Sequence, residues 1–500
     1  MASRLPVEVL GEIFVHCLPT DRFSYISAAQ APLLLTSICQ RWREVALSFP
    51  SLWNTLHIFL DDEISPEEIS QTEETIQIWL GRSKSLPLFI SLVIDSKAPA
   101  VPDSLFEALM SHSKRFTTLR LVLDMPYFSL LNDLAPEFPA LTVLSLHPPE
   151  RTNDTLTNAG IPCWCWFPRM PSLAKFSLNL RDIDSDRIHS MHSDYKWANI
   201  TELELISGGD IDEGLLSPTT LLNLLGEMPR LQSCLVRVEF SYISVVPKRC
   251  ISLPHLHTMS IILRGRCGTI STTAVSETIC AVAFPSVRTF SVDWGPRTYF
   301  PIRQTFFSKP LENLKHLRLH AVMEPKVLAE CLSFTPNLAI LEVVDMGCAE
   351  GYQIGETHTL QDSLLASLSG VSSSCSDPPL CPHLAVFRLV VPSHRMRQCV
   401  SNKRFLNFLQ RKRSIQTPFS RLEICDVILP HDMATFSDAH LKRLRKLRKE
   451  GLQLSIRYFK AGAYRPFEDN SPHLTLFSPN ALPPLEDINA LMEKKLFISF

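Results

Sequence analysis

FPALTVLSL, residues 138–146, is a short phrase whose variants recur along most of this 500-residue chain. If its first core residue, Leu141, is numbered zero, apolar residues return at +3 and +5. This spacing of two is typical of a β-strand with one buried face. Six further copies are MPSLAKFSL (170–178), LPHLHTMSI (253–261), FPSVRTFSV (284–292), PLENLKHLRL (310–319), TPNLAILEV (335–343) and CPHLAVFRL (381–389).

Eleven units share this pattern, and most of them start 24 to 32 residues apart. That spacing accommodates one strand and one helical return, which predicts parallel strands. Helix signals lie between the units at DSLFEALMSH from Asp103, at SPTTLLNLLGEMP from Ser217 and at EPKVLAECLSF from Glu324. The zero positions are Phe116, Leu141, Leu173, Ile200, Leu231, Leu256, Val287, Leu314, Leu338, Leu384 and Leu422.

The fold predicted from this repetition is α/β, a solenoid with a parallel sheet. An ordinary doubly wound α/β domain is the alternative, but such sheets rarely keep one phrase through so many units. The stretch 361–382 is rich in Ser and Pro and is predicted to be a flexible insertion. GLQLSIRYF (451–459) alternates like a last strand, and residues 466–500 form a cap or a tail.

The start of the chain has a different character. LPVEVLGEIFVHCL, residues 5–18, predicts a helix with Pro6 in its first turn. Its apolar residues cover about half of the helix surface, wider than the stripe that packs a helix onto one core. LLLTSICQRWREVALSFPSLWNTLHI (33–58) adds a second apolar helical unit. So small a region buries too little surface to be stable alone, so its apolar excess should dock on the rest of the chain or on another protein.

These N-terminal residues resemble the F-box. The resemblance rests on Leu5-Pro6-x-Glu8-Val9, then Ile13-Phe14 and Leu18, later Ile38-Cys39-x-x-Trp42-Arg43, and finally Pro50-x-Leu52-Trp53. The repeated phrase resembles an irregular, longer form of the leucine-rich repeat. Together they imply a helical F-box at residues 1–58 and a leucine-rich-repeat-like solenoid at 86–465. Between them, Ser65 as N-cap and Glu68 three residues later form a capping box, which predicts a linking helix within 59–85.

An F-box followed by leucine-rich repeats is the arrangement of a substrate receptor. The resemblance implies docking on a Skp-type adaptor, and through it on a cullin-RING E3 ubiquitin ligase of the SCF type, with the solenoid binding a target protein. It also implies that the adaptor-binding residues include Leu5, Pro6, Val9, Leu10, Ile13, Phe14, Leu18 and Trp42. Two alternatives stay open: an F-box protein that acts outside ubiquitination, and a scaffold whose first helices cap the stack.

A candidate target-binding surface follows from the alternation of side chains along each strand. If +3 and +5 face the core, then +2, +4 and +6 face the other side of the sheet, which solenoids use for binding. Charged and ionisable residues cluster there around the strand after Leu314, where packing does not require them. The cluster comprises His316, Arg318, His320, Asp293, Glu342 and Arg388.

Composition excludes several other classes. The net charge of −2 argues against a surface built for nucleic acid, and the longest apolar run, LPLFISLVI (86–94), is too short to span a bilayer. The sequence contains none of the common nucleotide-binding or hydrolase motifs, so we expect no enzyme and no cofactor. CWCWF (163–167) with His189 and His192, and Cys375, Cys381 and His383, are weak metal candidates, so no metal site is predicted.

Cysteine usage and targeting signals bear on the compartment. Fourteen scattered cysteines and the lack of a secretory signal predict an intracellular protein, cytoplasmic or nuclear, with most thiols reduced and buried. Of two basic runs, 403–413 and 440–449, the second has leucines every three residues and is predicted to be a helix packed on one side. A nuclear import signal or a surface for an acidic partner is its alternative.

Overall fold

The structure is a computed structural model, and the chain divides into two compact units, residues 1–209 and 210–500. The residues that it describes are 5–19, 23–95, 97–147, 168–179, 197–206, 216–240, 250–264, 272–294, 305–307, 309–320, 323–344, 361–370, 380–390, 401–414, 421–430 and 436–459. Over these ranges the protein is α/β, with fourteen strands in a parallel sheet and twelve α-helices. The predicted fold class is therefore confirmed at this level.

In the first unit, three short helices come before the sheet. Its helices are α1 (Val7–Val15), α2 (Leu33–Ile38), α3 (Gln40–Ser48), α4 (Pro66–Arg82), α5 (Asp103–Met110) and α6 (Met125–Asp133). Its strands, which neighbour one another in chain order, are β1 (Thr55–Leu60), β2 (Leu88–Ile94), β3 (Phe116–Val122), β4 (Val143–His147), β5 (Lys175–Asn179) and β6 (Glu202–Ile206).

Over its described residues, the second unit contains ten strands and six α-helices, which alternate strictly only from His316 onward. Its strands are β7 (Ser233–Glu239), β8 (Ile251–Ser252), β9 (Thr258–Arg264), β10 (Val282–Ala283), β11 (Thr289–Trp294), β12 (His316–His320), β13 (Ile340–Val344), β14 (Val386–Val390), β15 (Ile424–Pro430) and β16 (Gln453–Phe459). Its helices are α7 (Pro218–Gly226), α8 (Thr272–Cys280), α9 (Pro325–Ser333), α10 (Asp362–Leu368), α11 (Asn402–Ser414) and α12 (Asp438–Lys449). The short strands β8 and β10 pair only with each other, and the other eight belong to the large sheet.

The repeated phrase forms the core of both units. All eleven zero positions, from Phe116 to Leu422, are buried, and so are the residues at +3 and +5 on the strand that follows each. Adjacent strands pair in parallel with these positions in register, as for Leu317 with Leu341 and Phe387 with Cys425. The period-two pattern therefore predicted both the strands and the face that they bury.

The helices between the strands confirm the capping signals. Helix α4 begins with the predicted capping box, in which the Glu68 N–H donates to Ser65 Oγ at 3.2 Å and the Ser65 N–H donates to Glu68 Oε2 at 2.8 Å. Ser217 caps α7 in the same way, accepting from the Thr220 N–H at 3.1 Å. Leu441, Leu444 and Leu447 lie on the buried side of α12, as the leucine spacing of the second basic run predicts.

Three expectations about segment boundaries are corrected. The sheet begins at Thr55 rather than near residue 86, so α4 connects two sheet strands and is not a separate linker. The apolar segment after Pro32 is two helices, because the backbone at Cys39 is extended. Residues 362–368, placed in the flexible insertion, form α10, whose Leu364, Leu365 and Leu368 are buried. The predicted tail at 466–500 lies outside the described residues.

Candidate functional site

The three N-terminal helices form one packed group with an uneven surface. Helices α1 and α2 both pack against α3. The rings of Phe14 on α1 and Trp42 on α3 lie 4.8 Å apart between centroids. Arg41 donates a hydrogen bond to the Leu5 carbonyl, and Arg43 Nε donates to the Thr36 carbonyl at 2.7 Å. These contacts use one side of α1 and of α2 and leave the other side for solvent.

The solvent side of these helices is apolar. Val9 and Ile13 on α1 are 44% and 43% exposed, and Leu34 and Ile38 on α2 are 38% and 53% exposed. Each pair is spaced by four residues, so each forms a stripe along one face of its helix. We call these four residues the apolar stripes. Most large apolar side chains among the described residues are buried, so the concentration of exposed ones on two short helices is unusual.

The structure separates the predicted adaptor residues into two groups. Pro6, Val9 and Ile13 are exposed, and Leu5, Leu18 and Trp42 are half-buried, so these six are accessible to a partner. Leu10 and Phe14 are 1% and 0% exposed and belong to the core of the helical group. The prediction is corrected for these two, because α3 covers the side of α1 that carries Phe14. Leu34 and Ile38, the exposed large apolar residues of α2, were not among the predicted adaptor residues, although their spacing of four was a readable signal.

Trp53 connects the helical group to the sheet of the first unit. Its side chain is fully buried, and its indole N–H donates to the Ala46 carbonyl at 2.8 Å. The ring of Trp79 lies 4.8 Å away edge-on, and the Arg82 guanidinium stands 4.5 Å over the Trp53 ring. Because α3, β1 and α4 all meet at this residue, the helices α1 to α3 have a fixed seat.

The six predicted target-binding residues do lie together, in the second unit. Arg318, Glu342, Arg388 and Asp426 occupy matching positions on β12, β13, β14 and β15. We call these four residues the charge row, in which positive and negative side chains alternate. Arg388 Nη1 lies 2.5 Å from Glu342 Oε1, and Arg318 Nε lies 3.9 Å from Glu342 Oε2. Asp426 pairs with Arg457 at 2.8 Å.

The histidines and Asp293 surround the charge row. His316 Nε2 lies 3.5 Å from Glu342 Oε1, and His320 Nδ1 lies 3.6 Å from Asp293 Oδ2. Arg318 Nε donates to His320 Nε2 at 2.9 Å. Burial lowers the pKa of His320 below its ordinary value despite the nearby carboxylates, so its imidazole is neutral at pH 7.

Burial corrects the expectation that this cluster is an open binding surface. Glu342 is 2% exposed and Asp426 1%, and Arg318, His320 and Arg388 are also buried. Parallel sheets are commonly covered on both faces, and the period-two pattern does not reveal whether the second face is covered. Buried charges require partners, and here the charged side chains pair with one another. We therefore assign the charge row to stability.

The same sheet face in the first unit is more open. Phe59 on β1 is 51% exposed, Phe89 on β2 is 37% exposed, and Arg120 on β3 is exposed. Arg120 occupies +4 after Phe116, so the alternation could have identified it, whereas β1 and β2 lack the repeated phrase and carry no such signal for Phe59 and Phe89.

The described residues contain no group of three or more His, Cys, Asp or Glu side chains placed to hold a metal ion. Cys381 is buried and His383 is described, whereas Cys163, Cys165, His189, His192 and Cys375 lie outside the described residues. None of the described helices is long and apolar enough to cross a membrane. Of the described cysteines, Cys234, Cys331, Cys381 and Cys425 are buried, and Cys17, Cys39 and Cys250 are exposed.

Comparison with family models and with curated proteins does not assign the chain to a family. No protein-family model matches the chain, and no curated protein matches it.

Proposed function

We propose that this chain is the substrate-recognition subunit of an SCF-type cullin-RING E3 ubiquitin ligase. In this proposal α1 to α3 are an F-box that docks on a Skp-type adaptor, and the repeated strand units are a leucine-rich-repeat-like solenoid that binds a target protein. The observation that carries the proposal is the pair of apolar stripes. Val9, Ile13, Leu34 and Ile38 contribute little to the core of the chain, yet they are apolar.

Two further features support this proposal. Among the F-box-like residues, Leu52 and Trp53 are buried where the helices meet the sheet, while Val9, Ile13 and Ile38 are exposed on α1 and α2. A rigidly seated helix with an exposed apolar stripe is suited to protein docking, because little conformational entropy is lost when it binds. The chain itself would contribute proximity between target and ligase and no chemical step.

The experiment is co-purification of the full-length chain with a Skp-type adaptor. The test variant is Val9→Asp/Ile13→Asp, which places charge on the stripe of α1 without touching the core. Ile78→Asp is the matched control, since Ile78 is a 46% exposed apolar residue on α4, outside the stripes. We expect the native chain and the control to bind, and the double variant to bind at least tenfold more weakly with unchanged thermal unfolding. Absence of binding by the native chain, or equal binding by the double variant, would reject the proposal.

Cysteine footprinting gives an independent readout. Cys17 lies four residues after Ile13, and Cys39 directly follows Ile38; both are exposed. We expect bound adaptor to slow alkylation of both thiols by iodoacetamide, measured for each cysteine by mass spectrometry. Cys250 is exposed in the second unit and should react at the same rate with and without the adaptor. Unprotected Cys17 and Cys39 in a purified complex would place the contact elsewhere.

The competing functions are an F-box protein outside ubiquitination and a scaffold with a helical cap. The burial of Trp53 favours some capping role, since its side chain packs against α3 and α4 immediately before the first strand of the sheet. Recovery of a cullin with the adaptor separates the ligase subunit from an F-box protein with another task. Loss of solubility on deletion of residues 1–53, together with no adaptor binding by the native chain, would favour the cap.

A further inference from the structure

Arg120 stands out among the charged residues of the first unit. It lies on β3, on the sheet face opposite the core leucines Leu119 and Leu121, and its side chain is exposed. Within the described part of the chain, no ion pair or hydrogen bond joins Arg120 to another side chain. A guanidinium that presents five N–H donors on a sheet face is therefore available to a ligand.

The row in which Arg120 lies differs from the charge row of the second unit. There, each arginine has a carboxylate at the matching position of at least one neighbouring strand, as Glu342 lies between Arg318 and Arg388. Beside Arg120, the matching positions on β2 and β4 are Ser91 and Ser145. In the first unit, the strands directly beside Arg120 thus carry no negative charge in this row.

The acidic residues on the described sheet strands of the first unit, both on β6, already have partners. Glu202 on β6 pairs with Lys175 at 2.7 Å, and Glu204 on β6 accepts a hydrogen bond from Ser177 Oγ at 2.9 Å. Both lie three strands away from β3, which corresponds to about 14 Å at the usual strand spacing. They do not neutralise Arg120 at contact distance.

Each of these two serines lies within hydrogen-bond distance of one histidine. His57 Nδ1 lies 3.0 Å from Ser91 Oγ, and His147 Nε2 lies 2.6 Å from Ser145 Oγ. Burial, and secondarily the charge of Arg120, lowers the pKa of His57 and lowers that of His147 to about 4. Both imidazoles are therefore neutral at pH 7, and Arg120 gives this cluster a charge of one.

Exposed aromatic rings lie beside the cluster on the same sheet face. Phe89 is two residues before Ser91 on β2, and Phe59 is two residues after His57 on β1. From the strand spacing and the rise per residue, the Cα of Phe89 lies roughly 8 Å from that of Arg120, and the Cα of Phe59 roughly 12 Å. An extended peptide covers these distances in two to four residues.

We propose that this face of the first unit binds an extended acidic peptide, with Arg120 holding one carboxylate side chain and Phe89 and Phe59 holding apolar side chains two to four residues away. The proposal rests on the function proposed above in that the peptide belongs to the target protein. A carboxylate matches the fork of the guanidinium through two parallel hydrogen bonds. Its single negative charge also balances the single positive charge here, whereas a phosphate dianion would keep one charge uncompensated.

The experiment begins with selection from a phage-displayed library of random dodecapeptides on the full-length chain. We expect selected peptides to share an Asp or Glu with an apolar residue two to four positions away. The best peptide is then synthesised with its acidic residue intact, replaced by its amide, or replaced by phosphoserine. The amide peptide should bind at least tenfold more weakly, and the phosphoserine peptide no more tightly than the parent.

Variants of the chain identify the site. Arg120→Gln should weaken binding of the parent peptide at least tenfold, Arg120→Lys should be intermediate, and Phe89→Ser should lose affinity without losing the preference for the carboxylate. Lys114→Gln is the matched control, because Lys114 is a cation with a 72% exposed side chain just before β3. Selected peptides without an acidic residue, equal binding by Arg120→Gln, or tighter binding of the phosphoserine peptide would overturn the proposal.

Adaptor binding by the same preparations separates this inference from the proposed function. If Arg120→Gln loses the peptide but keeps the adaptor, both proposals stand. If the native chain binds the peptide through Arg120 but no adaptor, the ligase proposal fails and the peptide site remains. If it binds the adaptor while peptide binding ignores Arg120, the peptide site fails alone.

Discussion

Glu342 is the residue on which the buried charges of the second unit converge. Arg388, Arg318 and His316 all approach its two carboxylate oxygens. Burial raises the pKa of this carboxyl, but hydrogen bonds and charges from His316 and Arg388 outweigh burial, so its net pKa lies below the ordinary 4.5. The carboxylate is thus ionised in the folded protein at neutral pH.

Replacing Glu342 with Gln should therefore destabilise the protein strongly at pH 7. The substitution keeps the side-chain volume but leaves two buried guanidinium groups without their shared counter-charge, which costs about 3–5 kcal/mol when a buried pair is broken. The depressed pKa means that this stabilisation is present above pH 4.5 and is lost as the pH falls through the folded-state pKa. Urea unfolding at pH 7 and below pH 4 should show the native and variant chains converging in acid.

Glu330→Gln is the control for this experiment, since Glu330 is an exposed acid on α9. Its effect should stay within about 0.5 kcal/mol, as for most surface substitutions. A Glu342→Gln variant as stable as this control would show that the charge row does not stabilise the fold. Alignment of the repeated phrase predicts from the sequence that these charges lie at matching positions of neighbouring strands. It could not show their burial, because burial depends on chain segments distant in sequence.

At the scale of elements, α1 depends on a close approach that only glycine allows. A Cβ at residue 11 would overlap the ring of Phe49, with Cε2 far inside contact distance. Gly11 is buried on the side of α1 that faces away from the apolar stripe. Helix α1 can therefore pack close to the segment that follows α3, and Val9 and Ile13 remain on the outside.

Gly11→Ala should consequently loosen the helical group, although alanine is the better helix former. Overpacking of this kind costs about 1–3 kcal/mol. Gly81→Ala is the matched control, because Gly81 is also helical but a Cβ there would meet no atom within 4 Å. At that position, helix propensity alone should stabilise the protein by up to about 1 kcal/mol. Thermal unfolding of both variants measures the difference, and two shifts of the same sign would contradict this account of the packing of α1.

Most elements could be predicted from local signals, and the failures have a common cause. The strands of the large sheet from β3 onward follow the apolar period, and α4 and α7 follow their serine caps. Strand β1 also alternates, through Leu56, Ile58 and Leu60, but it lacks the repeated phrase, and the predicted helical region therefore included it. The break at Cys39 is a single extended residue in an apolar run, and a helical period does not mark such a break.

For the molecule as a whole, the repeated phrase hides where the chain divides. Every repeat of the phrase presents the same signals, so the phrase does not distinguish the division near residue 209 from any other connection between strands. Arg120 on the open face and the residues of the buried charge row likewise occupy the same +4 position of their repeats. What differs is the neighbouring side chain, serine in the first unit and carboxylate in the second, and that information appears only when the strands are placed side by side.

Buried thiols couple the stability of the molecule to alkaline pH. Burial raises the pKa of Cys234 to about 12 and those of Cys331 and Cys381 to about 11, from an ordinary 9.0. Because these pKa values are higher in the folded state, their stabilisation is present below pH 9 and is lost as the pH rises through 11 to 12. Lys412 acts in the opposite direction. Burial lowers its pKa to about 8, so its contribution to the free energy of unfolding rises between pH 8 and 10.5.

The thiols outnumber this lysine, so we expect the free energy of unfolding to fall between pH 9 and 10.5. Each buried thiol should account for roughly 2 kcal/mol of the loss at pH 10.5, from the difference between its folded and unfolded pKa values. Urea unfolding of the native chain and of Cys234→Ala at pH 8 and pH 10.5 measures this directly. The variant should be less stable at pH 8, because it leaves a cavity, but should lose less on going to pH 10.5. An equal loss in both chains would mean that ionisation of Cys234 does not oppose folding, and the alkaline sensitivity would then have to come from other groups.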